Sequence, residues 1–468
     1  MKHLEVVQIP TMTTVMYHFK NRIPRNWDFF YVFLHNKTSI FGLKFLVMQF
    51  KKGLFIFLLL VSFSVKASFI LLPMDESTQK NHLKAYGITY WCLDKKFKAS
   101  WLLNYRGGSF LLPDAPEIRK ECQIRGVSFE ILSDAEEEAI LAEISSPSQN
   151  MESVVLEKAP KIAVYTPPGK QPWDDAVTLV LTYAEIPFTP IYDEAVLSDQ
   201  LILYDWLHLH HEDFTGQYGK FYGAYRNAPW YIDQKKEAEA LATKLGYSKV
   251  SEEKLAVAKK IKAFVIGGGF MFAMCSATDS FDIALSAEGV DICEPMFDGD
   301  ASDANYQSKN DYSKTFAFKD FILDRKPEHY EFSDIDMTEK RTNIPFEKDY
   351  FTLMEFSAKW DVIPAMLCQN HTQLVKGFMG QTTAFDRHLI KSNVLVLGEN
   401  ELNEEARYIH GQMGKGFFTF YGGHDPEDYR HQVGDPPTVL DLHPNSPGFR
   451  LILNNVLFPA ARKKKQKT

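Results

Sequence analysis

Short apolar runs set off by Gly, Pro and Ser clusters give this chain the pattern of a mixed α/β protein. Phe69-Ile70-Leu71-Leu72 is a four-residue apolar block ending at Pro73, the mark of a buried strand. Residues 77–92 predict a helix running into Tyr90-Trp91-Cys92-Leu93. A second strand is expected at Trp101–Tyr105, a turn at Arg106-Gly107-Gly108 and a third strand at Ser128–Leu132. Ser133-Asp134 then caps a helix whose start carries Glu136, Glu137 and Glu138, where negative charge complements the helix dipole. Residues 146–160 have the Ser, Pro and Asn chemistry of a linker.

From Lys161 the pattern becomes strand, loop, helix, strand. Lys161–Tyr165 reads as a strand broken by the TPPGKQPW segment. A helix is expected over 174–185, strands near Phe188–Tyr192 and Leu201–His210, and helices over 233–245 and 251–262, separated by Gly246-Tyr247. This alternation predicts a parallel sheet with helices on both faces. The expected fold class is therefore α/β: a doubly wound, mostly parallel sheet over 161–460, preceded by a smaller α/β module at 68–145 and followed by a basic tail at 461–468.

Composition adds limits. The 468 residues are 45% hydrophobic and 24% charged, a globular balance. The net charge of -8 speaks against a nucleic-acid partner. The five cysteines include no CxxC pair, so a zinc ribbon or thioredoxin site is not expected; Cys92 and Cys122 are a candidate disulfide. Residues 51–67, KKGLFIFLLLVSFSVKA, have the basic start, short apolar stretch and Val65-Lys66-Ala67 cleavage site of a secretory signal. The expectation is a signal peptide at 48–67 with translation starting at Met48, residues 1–47 being an extension outside the protein proper. A signal anchor with a short cytoplasmic tail is the rival. The mature protein is then expected to be exported, periplasmic and without a stable membrane anchor.

Two segments carry candidate chemistry. Residues 263–285, AFVIGGGFMFAMCSATDSFDIAL, read as an apolar strand meeting three glycines, a second apolar run, Cys275, small residues and a new helix. That is the layout of a nucleophile elbow. A helix N-terminus would lower the thiol pKa, and backbone N–H groups near Gly268, Gly269 and Ser276 would stabilise an oxyanion. In GKGFFTFYGGHDPEDYRHQ, a strand at Phe417–Tyr421 delivers His424 with Asp425 and Glu427 beside it. A thiol nucleophile needs such a base, and the base a carboxylate to orient it. The bland readings are a buried structural Cys and a surface turn.

The two motifs together resemble the class I glutamine-amidotransferase-like superfamily, and its ThuA-like branch more closely. The likeness rests on Gly268-Gly269, on Cys275-Ser276-Ala277-Thr278-Asp279, and on Gly423 to Glu427 followed by a helix at Phe449–Ala460. It implies a flavodoxin-like sheet over roughly 160–460. The amidotransferase elbow glycines are Ala273 and Ala277 here, Asp425 is an extra residue before the acid, and ThuA-like proteins usually have His at the position of Cys275. The N-terminal segments LPMDESTQKNHLKAYGITYW and WLLNYRGGSFL are similar to an exported Bacteroidetes family commonly labelled asparagine synthetase B. That synthetase's Cys after the initiator Met and its Ser-Gly-Gly-x-Asp-Ser loop are both missing, so ATP-dependent asparagine synthesis is not expected.

Other features stand beside these. His208 and His210 alternate onto one strand face with Glu212 following, as metal ligands would; a hydrogen-bonded pocket lining is the commoner role. His210 and His211 are expected to border the Cys275 site. Phe214–Tyr231 is an aromatic and glycine-rich loop in which Tyr218 and Tyr222 are candidate substrate-stacking residues. Asp298-Gly299-Asp300 with Asp303 faintly resembles a calcium loop. The leading expectation is a thiol-dependent hydrolase or amidohydrolase of a small amide or sugar-derived substrate, without cofactor. In it Cys275 attacks, His424 is the base, and Asp425 or Glu427 orients it. The alternatives are a non-catalytic carbohydrate- or ligand-binding protein and a metal-dependent enzyme using His208, His210 and Glu212.

Overall fold

The computed structural model describes residues 69–169, 171–361 and 363–462. The expected signal peptide, the extension before it and residues 463–468 lie outside the described residues. The first structured elements are β1 (Phe69–Leu72), α1 (His82–Asp94), β2 (Ala99–Leu103), β3 (Ser109–Pro113), α2 (Pro116–Arg125), β4 (Glu130–Leu132), α3 (Asp134–Ser145) and β5 (Glu152–Leu156). The strands form an antiparallel sheet in the order β4-β1-β3-β2-β5. Alternate residues face opposite ways. Ile70, Leu72, Trp101 and Phe110 join the main core, while Leu71, Leu102, Leu111 and Leu132 pack with Ile140 and Leu141 of α3. Ser133 caps α3 through a reciprocal capping box with Glu136.

Two expectations change here. The Arg106–Gly108 turn is the corner of a hairpin, and β3 behind it is an additional strand. Gly107 and Gly108 adopt φ of +76° and +88° there, which suits glycine. The segment expected as a linker contains β5, which pairs with β2 in the register Trp101↔Val154. Val154 and Leu156 supply the alternating apolar positions that make it a strand. Cys92 and Cys122 are both buried free thiols.

The second sheet begins with β6 (Ile162–Tyr165), α4 (Ala176–Tyr183), β7 (Thr189–Ile191), α5 (Asp193–Leu197) and β8 (Trp206–Leu209). It continues through α6 (Pro229–Lys244), α7 (Val250–Gly267), β9 (Phe270–Met274) and α8 (Asp279–Ser286). Then come β10 (Tyr350–Leu353), β11 (Leu374–Lys376), β12 (Phe385–Asp386), β13 (Leu395–Asn400), β14 (Glu405–Met413), β15 (Gly416–Tyr421) and α9 (Pro447–Leu457). The sheet is mixed. Its parallel part runs β7-β6-β8-β9-β15, and antiparallel strands β14, β13, β10 and β11 extend it beyond β15, with β12 beside β14.

Side-chain alternation gives this sheet two buried faces. Val164, Trp206, Phe272 and Tyr421 pack with α1, α4 and α9 on one side. Tyr165, Leu207, Met271 and Phe420 pack with α5, α7 and α8 on the other. The expected strand at Leu201–His210 is shorter, because a 3₁₀ turn occupies Gln200–Leu203. A larger correction falls on 263–269. Ala263 to Gly267 continue α7 rather than forming a strand, since Val257, Ala258, Ile261 and Val265 make one buried helical stripe. Gly268, at φ +125°, ends the helix.

Candidate active site

Four neighbouring parallel strands end at the same edge of the sheet. Tyr165↔Leu209, Leu209↔Ala273 and Met274↔Tyr421 are paired in register, so the residues just beyond each strand converge. Strand β6 leads to Trp173, Asp174 and Asp175, β8 to His210 and His211, β9 to Cys275, and β15 to His424. Carboxyl ends of parallel strands are where α/β sheets bind ligands.

Cys275 sits on a strand–turn–helix with φ +52°, a left-handed conformation that a non-glycine residue adopts at a cost of order 1–3 kcal/mol. Its Sγ and one ring nitrogen each of His210, His211 and His424 all lie within 4.8 Å of one another. No hydrogen bond joins Cys275 to His424 among the described residues. The thiol is 3% exposed. Burial pushes its pKa up to about 12, although the backbone N–H groups of Ser276 and Gln381 face the sulfur.

The imidazoles are ordered from outside the cluster. His211 Nε2 donates to the Asp174 carbonyl at 2.9 Å. His210 Nδ1 is 3.4 Å from an Asp175 carboxylate oxygen, and His424 Nε2 is 3.6 Å from Asp174 Oδ1. His210 and His211 stack with centroids 3.8 Å apart at 11°. Burial depresses His210 to about 4, holds His211 well below the usual imidazole range and lowers His424. All three are therefore neutral near pH 7. His431 differs. Burial opposes its charge, but Asp174 and Asp428, each 2.8 Å away, raise it to about 9. Burial alone would raise Asp174, yet His424 and His431 hold its carboxyl well below the usual carboxylate range.

Several expected site residues move elsewhere. Gly268 and Gly269 lie at the amino end of β9 and Cys275 at its carboxyl end, about 16 Å of strand apart. They cannot bind an oxyanion at Cys275; the N–H groups of Ser276 and Gln381 are the ones at the sulfur. Asp425 turns its Oδ1 back to the Glu427 backbone N–H at 2.8 Å, and Glu427 pairs with His443 at 3.0 Å. The carboxylate beside His424 is Asp174, which arrives from a different strand.

His208 is fully buried, held by Asp175 at 3.1 Å and the Phe272 carbonyl at 3.2 Å. Glu212 does not join it, because its carboxyl faces Lys254 and Asp193, and burial raises it to about 8. The expected trio of His208, His210 and Glu212 is thus replaced by one in which Asp175 stands for the glutamate. Tyr218 packs inward against Tyr231, and Tyr222 against Phe297. Positive φ at Tyr218, Gly219 and Lys220 turns this loop so that Phe221 and Tyr225 line the site in their place. At the calcium-like loop, the ammonium of Lys249 takes the cation's place between Asp291, Asp298 and Asp300 at 2.5–2.9 Å.

A cavity of about 470 Å³ opens onto Cys275 and His424, walled by Trp173, Phe221, Tyr225 and Tyr330, with Gln381 and Arg430 as polar lining. A second, of about 430 Å³, lies across Trp173 and His211 and reaches Asp174, Asp175 and His210. The sequence reading missed Asp174, Asp175, Gln381, Tyr330 and His431. The first two had a usable signal, since they follow the break after β6 and so stand at a strand's carboxyl end. His431 lies seven residues beyond His424 in the same loop.

No protein-family model and no curated protein matches the chain. Two solved structures from Salmonella typhimurium share low similarity with it. Cytoplasmic protein STM3548 has 11% identity over 65% of this chain and 100% of its own, with a TM-score of 0.31. Cytoplasmic protein STM1381, from strain LT2, has 13% identity over 64% of this chain and 100% of its own, with the same TM-score of 0.31.

Proposed function

We propose that this chain is an exported hydrolase or amidohydrolase of a small amide or sugar-derived substrate. In this reading its scaffold is a doubly wound, flavodoxin-like sheet of the glutamine-amidotransferase-like, ThuA-like kind. The strand order β7-β6-β8-β9-β15 and the elbow at Cys275 support that scaffold.

One observation carries the hydrolase reading. Three adjacent strand ends bring Cys275, His210, His211 and His424 into a single cluster, and Cys275, His211 and His424 line an aromatic-walled cavity. Such a cavity excludes water from a bound ring or acyl group while leaving one polar end for chemistry. Trp173, Tyr225 and Tyr330 would hold the substrate's apolar face, and Gln381 and Arg430 its polar groups. A free thiolate nucleophile is the less favoured form of the reading. Burial holds the thiol near 12, no cationic side chain among the described residues lowers it, and the flanking imidazoles are neutral. The reaction is accordingly assigned to the cluster as a unit.

The test is turnover of a panel of small amides, esters and glycosides by the purified full-length protein. His424→Gln and Cys275→Ser are each expected to lower kcat/KM at least about 100-fold, in line with loss of a reacting group. Retained rates in both variants, or no turnover by the parent, would sink the reading. The second reading, a ligand-binding protein without turnover, is favoured by the aromatic walls. It expects Cys275→Ala to keep full ligand affinity.

A further inference from the structure

We propose that His210, His211, His424 and the Cys275 thiolate bind one divalent transition-metal ion, zinc by the nature of the donors. The site is the one described above. The metal's catalytic use rests on the hydrolase reading, but its binding does not.

A tetrahedral zinc site with Zn–N near 2.0–2.1 Å and Zn–S near 2.3 Å has donor atoms about 3.3–3.7 Å apart. Here the four donors already lie within 4.8 Å of one another without an ion. The four residues stand within three positions of the ends of β8, β9 and β15, which are fixed in register.

A metal-bound imidazole nearly always has its other nitrogen on a carboxylate or a carbonyl, which fixes its orientation. His211 is hydrogen-bonded in this way to the Asp174 carbonyl, and His210 and His424 each have a carboxylate nearby, that of Asp175 at 3.4 Å and that of Asp174 at 3.6 Å, without a hydrogen bond. Binding would use the remaining ring nitrogen of each, with the stacked His210 and His211 rings, 3.8 Å apart at 11°, turning toward the ion. Both ring nitrogens of His210 are buried without a hydrogen-bond partner, in a residue only 2% exposed. An unpaired buried nitrogen of that kind costs about 1–3 kcal/mol unless something else engages it.

Donor chemistry adds to this: three imidazoles and a thiol gathered in one buried cluster are the soft, mixed set that transition metals favour. A divalent ion would deprotonate Cys275 outright, and the Ser276 and Gln381 N–H groups would then donate to the thiolate. Mixed imidazole and thiolate donors suit zinc among the abundant divalent ions, whereas calcium and magnesium take oxygen ligands. Cys275 is on this account a ligand. Its left-handed backbone aims the sulfur at the ion.

The test uses the full-length protein, stripped with chelator and reloaded with zinc or with cobalt(II). One equivalent of either metal per chain is expected. The cobalt form should have tetrahedral ligand-field bands and a thiolate-to-cobalt charge-transfer band. Cys275→Ser should remove that charge-transfer band, while Cys368→Ser, at a buried cysteine elsewhere, should keep it. His211→Gln should weaken zinc binding more than about 10-fold, with circular dichroism verifying the fold of each variant. A charge-transfer band that survives Cys275→Ser overturns the proposal, as does metal uptake no greater than that of a Cys275→Ser, His211→Gln double variant. Turnover without metal uptake would reject the metal and leave the hydrolase reading. Stoichiometric zinc without turnover would do the opposite.

Discussion

Asp174 changes the meaning of His424. The sequence places Asp425 and Glu427 next to that histidine, and adjacency along the chain suggested a base–carboxylate pair. After a strand the backbone turns sharply, so neighbours in sequence point apart and residues from the loops of different strands meet. Asp174 is the carboxylate that faces His424, at 3.6 Å, while Asp425 caps its own turn. Asp174→Asn is expected to weaken zinc affinity about 10- to 100-fold with little loss of fold. Unchanged affinity in a metal-competition titration would remove Asp174 from the centre.

Histidines away from the centre make a separate prediction. His410 is buried on β14 and hydrogen-bonded to Thr419 at 2.8 Å, and burial lowers its pKa from 6.5 to about 3. The unfolded chain binds a proton on this residue below pH 6.5, and the folded chain does not until near pH 3. Stability from this group is therefore full above 6.5 and falls as the pH drops. From pH 7 to 5 the loss is about 2 kcal/mol. Denaturant unfolding of the chelated protein should give His410→Gln a pH slope flatter by that amount; equal slopes would contradict the assignment.

At the scale of elements, apolar runs ending in a Pro or Gly were the most legible features. β1, β6, β15, α3 and the helix after Cys275 fall close to where their patterns put them. The reading failed where one apolar stretch served two elements. Ala263 to Met274 looks like strand material throughout, but its first part continues the buried stripe of α7 and only Phe270–Met274 is strand. That shift removed Gly268 and Gly269 from the site. β5 was hidden by Ser and Pro flanks that have the composition of a linker.

The position of α8 depends on a device the sequence does not reveal. Asp282 accepts the backbone N–H groups of Phe316, Ala317 and Phe318 at 2.6, 2.7 and 3.0 Å, tying the segment that follows to the elbow helix. Asp282→Ala leaves three buried donors unpaired and should cost about 3–5 kcal/mol in equilibrium unfolding. A loss under about 1 kcal/mol would mean that these groups find other partners.

For the whole molecule, the sequence conveyed the α/β class and the change in character near residue 161. It did not convey that the two sheets share one core. α9, at the carboxyl end, is buried along its length and packs on α1 of the first sheet as well as on α4. Arg450 donates to the carbonyls of Met74 and Gly107 at 3.3 and 2.7 Å. Such pairings join residues more than 300 positions apart and leave no trace in local patterning. A chain starting at residue 157 would expose the α1-facing side of α9 and strand Arg450. It is expected to lack a cooperative thermal transition, and a sharp transition with native circular dichroism would refute the shared core.

At the heart of the molecule, the ends of β8, β9 and β15 supply the four donors of the proposed metal centre. Anomalous diffraction at the zinc edge, from crystals of the zinc-loaded full-length protein, tests it most directly. The account predicts a single strong peak within bonding distance of Cys275 Sγ and of one ring nitrogen each of His210, His211 and His424. A zinc peak elsewhere, with those four donors unbound around Cys275, would contradict it.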